Sequence, residues 1–469
     1  MFAHGSFRRQ PAAIGLVVAG FVAFVGLHPR AQQTPTLRRP LLILGGTLID
    51  GSGAAPRAND ALLVVDGRIK LMGPDAERKA PKDARVVEAT GRWIVPGFID
   101  GHMHLFQTGG LDARPDVVAH PDGTPYTAVV GAIRRSPQVY LRAYICSGIT
   151  SVVDPGGPVW QFETRDGRLD DPLSPRMAFS GPLLATYDPK PLELEKDDPI
   201  WLMKDAGDIA AKVDRLASSR PDFIKVWFVS RTGDDVAAQA ALVAEAIARI
   251  HAKGLRAAVH ATTLDTARRA VDSGADILVH SISDTEIDDD LVGKIVERKV
   301  IYVPTLIVGR SYREVRMREV RFEPFESDCA PPQTIESFKV VDGLPDAALP
   351  RPKEPLPDRL PIEQRNLKKL ADAGAVIAAG TDAGNTRTLH GPSLHREFVL
   401  MAEAGLTPMQ ILVSATRNGA RLMGRQRDLG QLKPGMLADI VVLDANPLED
   451  IRNTRRLAVV IKGGAVYGR

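Results

Sequence analysis

Residues Val95-Pro96-Gly97-Phe98-Ile99-Asp100-Gly101-His102-Met103-His104-Leu105 carry an apolar strand directly into two histidines one residue apart. Side chains alternate faces along extended backbone, so His102 and His104 point to one side and can hold one metal ion together. Two histidines alone do not make a centre, and the rest of the chain is searched for their partners.

From residue 93 to about 424 the texture is one of apolar strands alternating with helical segments, which predicts parallel βα units. After the opening strand come runs ending at Asp154, Ser180, Phe228, His260, His280, Pro304 and Asp382, which makes eight candidate strands. The clearest helix between them runs from Asp235 to Lys253 and stops at Gly254. Eight such strands predict a (β/α)8 TIM-like barrel, whose active site lies at the C-terminal strand ends. Residues 34–92 and 425–469 share a different texture of short strands and turns, including the hairpin signal Asp66-Gly67. The expected fold is therefore α/β: a barrel over 93–424, flanked by a small β-sandwich built from both chain ends.

The strand ends form a set. The first supplies His102 and His104, the fourth Lys225, the fifth His260, the sixth His280 and the eighth Asp382. By contrast His251, beside Lys253-Gly254, reads as a solvated cation at a helix end. Lys225 sits within Phe-Ile-Lys-Val-Trp-Phe, where nothing solvates an ammonium, so burial favours the neutral amine. A neutral amine can add carbon dioxide to become a carbamate, a carboxylate able to bridge two metal ions.

Composition narrows the partners. The chain has 469 residues, 44% of them hydrophobic, and a formal charge of +3, which gives no basis for nucleic acid as a partner. A small-molecule substrate and a homo-oligomer are expected. The two cysteines, Cys146 and Cys329, stand far apart in unlike contexts and suggest neither a disulfide nor a thiolate cluster, so any metal needs N and O ligands. Arg8-Arg9 ahead of the apolar run from Pro11 to Leu27 reads as an export signal over residues 1–33, for a periplasmic or secreted protein. An uncleaved membrane anchor facing outward is the alternative.

At this point the sequence resembles the amidohydrolase superfamily of metal-dependent hydrolases. The likeness rests on the stretch Val95 to His104, on Gly380-Thr381-Asp382-Ala383-Gly384 and on the tail from Asp428 to Asp444. Within the superfamily, Leu394-His395-Arg396-Glu397 and Glu403-Ala404-Gly405-Leu406-Thr407-Pro408-Met409 look most like the branch of Xaa-Pro dipeptidases and imidazolonepropionase-related hydrolases. The resemblance implies two divalent ions, usually zinc. It places His102, His104 and Asp382 on one ion, His260 and His280 on the other, and carboxylated Lys225 between them.

The implied chemistry is hydrolysis of an amide bond in a dipeptide or N-acyl amino acid, with water activated by the ions and Asp382 as the catalytic base. A cyclic amide or lactone hydrolase is the alternative enzyme. A barrel without catalysis, serving as an interaction protein, is the alternative of another class. Substrate contacts are sought in the loops above the strands, where His120, Arg231, Tyr302, His390 and His395 are candidates and Arg387 is a further cation for a substrate carboxylate. Between 309 and 361 a charged run from Tyr312 to Arg321 leads into a proline-rich stretch, expected to be a long loop serving as a lid or contact surface.

Overall fold

The computed structural model describes residues 39–118, 123–169, 171–352 and 356–468. The leader and His120 lie outside the described residues. Five strands come first: β1 (Leu41–Leu48), β2 (Arg57–Val65), β3 (Arg68–Met72), β4 (Arg85–Glu88) and β5 (Trp93–Pro96). Ten follow: β6 (Phe98–Asp100), β7 (Ile149–Asp154), β8 (Arg176–Phe179), β9 (Leu183–Ala185), β10 (Ile200–Leu202), β11 (Ile224–Trp227), β12 (Ala257–His260), β13 (Ile277–Val279), β14 (Ile301–Val303) and β15 (Val376–Ile377). The chain closes with β16 (Ile440–Leu443), β17 (Leu457–Lys462) and β18 (Ala465–Gly468).

Strands from both chain ends share one mixed sheet, in the order β18-β17-β16-β5-β1-β2-β3 with β4 beside β1. The Asp66-Gly67 hairpin forms with both residues at positive φ, 49° and 73°, as a two-residue turn of the twisted kind requires. Strand β5, grouped with the barrel at sequence level, pairs instead antiparallel with β16. The break falls at Gly97, whose amide donates to the Asp439 carbonyl at 2.8 Å and where a Cβ would meet Thr150 Oγ1 at 2.2 Å. Alternation then sorts the faces: Ile440 and Val442 join the core of the mixed sheet, while Val441 and Leu443 join the large central core.

The remaining strands are all parallel. Strands β6-β7-β8 form one sheet, and β10-β9-β11-β12-β13-β14-β15 form a second. Backbone hydrogen bonds link the two, from the Asp222 amide ahead of β11 to the Phe179 carbonyl of β8 at 3.0 Å and from the Gly101 amide after β6 to the Ala379 carbonyl after β15 at 2.8 Å. Strands β9 and β10 add to the eight read from sequence. Helices Ala206–Ser218, Val236–Ala252, Leu264–Asp272 and Asp289–Glu297 each start from an Asp or Thr cap that accepts a backbone amide three residues on.

Two expectations need correction. The segment 309–361 is not a loop: helices Leu306–Arg316, Pro324–Cys329 and Pro332–Glu336 run through it, and Pro324 and Pro332 stand in first turns, where a missing N–H costs nothing. Val315, Val320, Phe338, Val341, Leu344 and Leu349 give it a core of its own with Leu111 and Val118. The cysteines are also bonded to each other, Cys146 to Cys329, across a sequence separation of 183. Each ends a helix, and the fold lays the short helix of the insertion against Gln138–Cys146.

Candidate metal centre

The turn after β6 is rigid because Asp100 ties it to the other end of the parallel strands. Its carboxylate accepts the His102 amide at 3.2 Å, the Thr381 amide at 3.1 Å and the Thr381 hydroxyl at 2.8 Å. The Asp382 amide in turn donates to the His102 carbonyl at 2.7 Å. Asp382 adopts φ +62°, which turns its carboxylate back over β6. His102 Nε2 then lies 3.3 Å from His104 Nε2 and 3.4 Å from Asp382 Oδ1, and His104 Nε2 lies 3.2 Å from that same oxygen. A cation with bonds of about 2.1 Å to three corners of a tetrahedron needs edges of about 3.4 Å, so the donor triangle has the size of a metal site.

The remaining residues of the set reach the same place. His260 ends β12 with its ring 4.4 Å from that of His280, which follows β13 and lies 4.8 Å from the His102 ring. Donor atoms of His102, His280 and Asp382 all lie within 4.8 Å of one another. Lys225, on β11 opposite Ala258, is buried, and its side chain lines the cavity of about 620 Å³ that all six residues border.

Protonation suits ligands. Burial, with the neighbouring positive groups, holds His260 well below its usual value, and His280 is lowered to about 3 by burial, so both imidazoles are neutral. His102 is likewise pushed well down by burial. Burial would also lower His104, but the carboxylates of Asp154 and Asp382 outweigh it and raise it to about 9: the site favours a positive charge there. His104 Nδ1 donates to the Gly156 carbonyl at 2.7 Å, and His280 Nδ1 shares a 2.7 Å hydrogen bond with the Thr305 hydroxyl. In both rings Nε2 is left to face a cation. Burial would raise Asp382, but the imidazoles hold its carboxyl well below the usual range, and its buried Oδ1 has no hydrogen-bond partner. Burial lowers Lys225 to about 7 against the opposing charge of Asp382. Neutral imidazoles at His102, His260 and His280, an ionised carboxylate and a neutralisable amine fit divalent ions, and the positive charge favoured at His104 is one that a cation would supply.

The substrate candidates fare differently. His390 is buried with both nitrogens engaged, one with the Tyr144 hydroxyl at 2.9 Å and one with the Gln107 carbonyl at 2.7 Å. His395 is buried between the Thr454 hydroxyl and the Ser147 carbonyl, both at 2.9 Å. Tyr302 is wholly buried, and its hydroxyl accepts the Ile282 amide. Arg231 is exposed, stacked 4.1 Å over the Tyr187 ring. None of these four borders the cavity, so none is positioned to bind substrate.

Arg387 is corrected too: it is buried against Glu326 at 2.8 Å with the Phe322 ring beneath it. Removing one partner of a buried pair typically costs about 3–5 kcal/mol. Arg387→Ala is thus expected to lower the denaturant midpoint sharply without changing the ratio of rates on acid and amide substrates, which paired unfolding and kinetic measurements would check.

Sequence reasoning missed Asp100 and Asp154, which end β6 and β7 and were open to the same strand-end logic. Asp154 accepts the Leu105 amide at 3.0 Å and the Gln161 side-chain amide at 2.6 Å. It also missed the arginines that border the cavity: Arg114, Arg313, Arg316 and Arg359. No pattern marks these, because they come from loops and the insertion.

The profile of the amidohydrolase family matches residues 93–466. An imidazolonepropionase of Salinispora arenicola is 27% identical over 425 residues, covering 85% of this chain and 91% of that protein. One of Streptomyces griseus is 27% identical over 406 residues, covering 82% and 86%. Among solved structures, a Xaa-Pro dipeptidase with bound methionine superposes with a TM-score of 0.67 at 21% identity, over 92% of this chain and all of that one. These relatives overturn the expectation of an exported or outward-anchored protein, which is withdrawn. Among the described residues no helix is long and apolar enough to cross a membrane.

Proposed function

The chain belongs to the amidohydrolase family and is a metal-dependent hydrolase of carbon–nitrogen bonds, and from that premise we propose that it works with two divalent ions, zinc first among them, at the end of a closed (β/α)8 barrel flanked by a β-sandwich. The observation that carries this reading is the convergence of six side chains from five strands on one cavity, with three donor atoms 3.2–3.4 Å apart. His102, His104 and Asp382 would hold one ion, His260 and His280 the other, and the carbamate of Lys225 would join them. When bound, the ions acidify the attacking water and polarise the scissile carbonyl.

The protein's own groups do the rest. Asp382, ionised at neutral pH, takes the proton of the attacking water and passes it to the leaving nitrogen. Asp154 holds His104 through the turn it stabilises, and Thr305 fixes the His280 ring. The first reading of the substrate is a small amide bearing a carboxylate, of the dipeptide or N-acyl amino acid type. A cyclic amide is the second reading, favoured by relatives whose name joins an imidazolone to a propionate. A non-catalytic role has no support once the family is hydrolytic and all six positions are filled.

Elemental analysis of the purified protein, paired with rates on dipeptides, N-acyl amino acids, cyclic amides and lactones, tests the proposal. About two divalent ions per chain and amide turnover abolished by chelation are expected. A protein that hydrolyses no amide after reconstitution with zinc, manganese or cobalt would refute it.

A further inference from the structure

The cavity over the strand ends has two walls of opposite chemistry. Leu183, Leu192 and Ile200 form one apolar cluster with Trp227 packed against it, contributed by β9, the turn before β10, β10 and the end of β11. The other wall follows β14, where helix Leu306–Arg316 places Arg313 and Arg316 on the cavity. Among the described residues neither arginine has an acidic partner, whereas Arg310 and Arg318 to either side pair with Glu314 and Asp346. Nη1 of Arg313 is buried with no hydrogen-bond partner. A buried guanidinium nitrogen without an acceptor is costly unless a ligand supplies one. The other two arginines on the cavity are engaged, Arg114 by Asp116 at 2.6 Å and Arg359 by the Ser283 hydroxyl at 3.3 Å.

The spacing sets a substrate length. Strands β12 and β13, which end in His260 and lead into His280, lie between β11 and β14. Neighbouring strands are about 4.8 Å apart, so the two walls are separated by roughly 14 Å with the reacting centre between them. Among the described residues, the acidic ones that border the cavity are Asp382 and Glu363, and Glu363 stands on the arginine side, 3.9 Å from where a Cβ on Gly309 would lie. Among those residues the apolar wall therefore offers no carboxylate to an ammonium group.

Resting on the function proposed above, we propose that the substrate is an N-acyl amino acid with an apolar acyl group, not a dipeptide with a free amino terminus. The acyl chain lies on Leu183, Leu192 and Trp227, and the carboxylate of the leaving amino acid is bound by Arg313 and Arg316. Water adds to the amide carbonyl, the C–N bond breaks, and the nitrogen takes up a proton, giving a free carboxylic acid and the amino acid. Burying the acyl chain on this wall supplies apolar binding that a charged amino terminus would forfeit.

The test uses the metal-loaded full chain and four probes: N-octanoyl-leucine, its carboxamide, N-acetyl-leucine and glycyl-leucine. kcat/KM for N-octanoyl-leucine should exceed that for each of the other three at least tenfold. Arg313→Gln with Arg316→Gln should bring the acid-to-carboxamide ratio near one through KM, and Leu192→Ser should narrow the octanoyl-to-acetyl ratio. Glycyl-leucine turned over as fast as N-octanoyl-leucine, or an acid-to-carboxamide ratio untouched by the double substitution, would overturn this inference and leave amide hydrolysis standing. Turnover of no amide, cyclic amides included, would overturn the underlying function and this inference with it.

Discussion

Asp382→Asn is expected to lower kcat by about 10²–10⁴-fold, the usual contribution of a placed proton-transfer group, while KM changes by far less. The backbone at this position is fixed independently of the side chain, since the Asp382 amide donates to the His102 carbonyl at 2.7 Å and the neighbouring Thr381 is bound twice by Asp100. Asparagine keeps the shape and one carbonyl oxygen, so it can still occupy the space and coordinate, but it cannot accept a proton at neutral pH. The imidazoles around Asp382 hold its carboxyl well below the usual range against the effect of burial, which makes it fully ionised and available as a base. Because the same oxygen is a candidate ligand, metal content must be measured beside the rate. A fully metallated Asn variant with unchanged kcat would remove Asp382 from proton transfer.

The centre was legible in the sequence because it obeys short-range rules. His102 and His104 share a face through strand alternation, His260, His280 and Asp382 stand at or just beyond apolar runs, where parallel strands present their functional ends, and Lys225 stands out as a cation inside one. The loops were legible only in part. His390 and Arg387 follow the last strand and read as mouth residues, yet the chain doubles back after Asp382: the Gly384 amide donates to the Thr388 carbonyl at 2.9 Å and the Arg387 amide to Gly109 at 3.0 Å. That fold buries both side chains. His395 is buried because the helix Ser393–Glu403 presents it to the turn holding Thr454, a contact 59 residues away.

Longer range still, the bond between Cys146 and Cys329 depends on where a 183-residue separation returns, which no local pattern encodes. The insertion misled for a different reason. Proline density reads as loop, but proline in a first helical turn is favourable, and the segment's apolar residues, spaced among prolines and charges, become a core only once Leu111 and Val118 meet them.

Lys225→Ala is expected to lose one of the two divalent ions proposed here and nearly all turnover. Lys225 lies within β11, flanked by Ile224 and Val226 and bordering the cavity with four imidazoles, and burial lowers its amine to about 7. Only the neutral amine adds carbon dioxide, so a depressed value is the condition for a carbamate near physiological pH, and the negative charge so formed would be offset by the ions proposed to bind there. Loss of groups that merely orient ligands typically weakens metal binding by about 10–100-fold, and a bridging ligand should cost at least as much. Lys225→Arg should restore neither ion nor rate, because a guanidinium stays charged and cannot be carboxylated. Two further readouts separate a bridge from a packing lysine. Propionate added to Lys225→Ala should recover part of the metal content by supplying a carboxylate in the vacated space. Reassembly of metal-stripped wild type with zinc and bicarbonate should quicken as pH rises through about 7, where the amine loses its proton, and level off above. A Lys225→Arg protein that keeps two ions and wild-type turnover would end the bridging role.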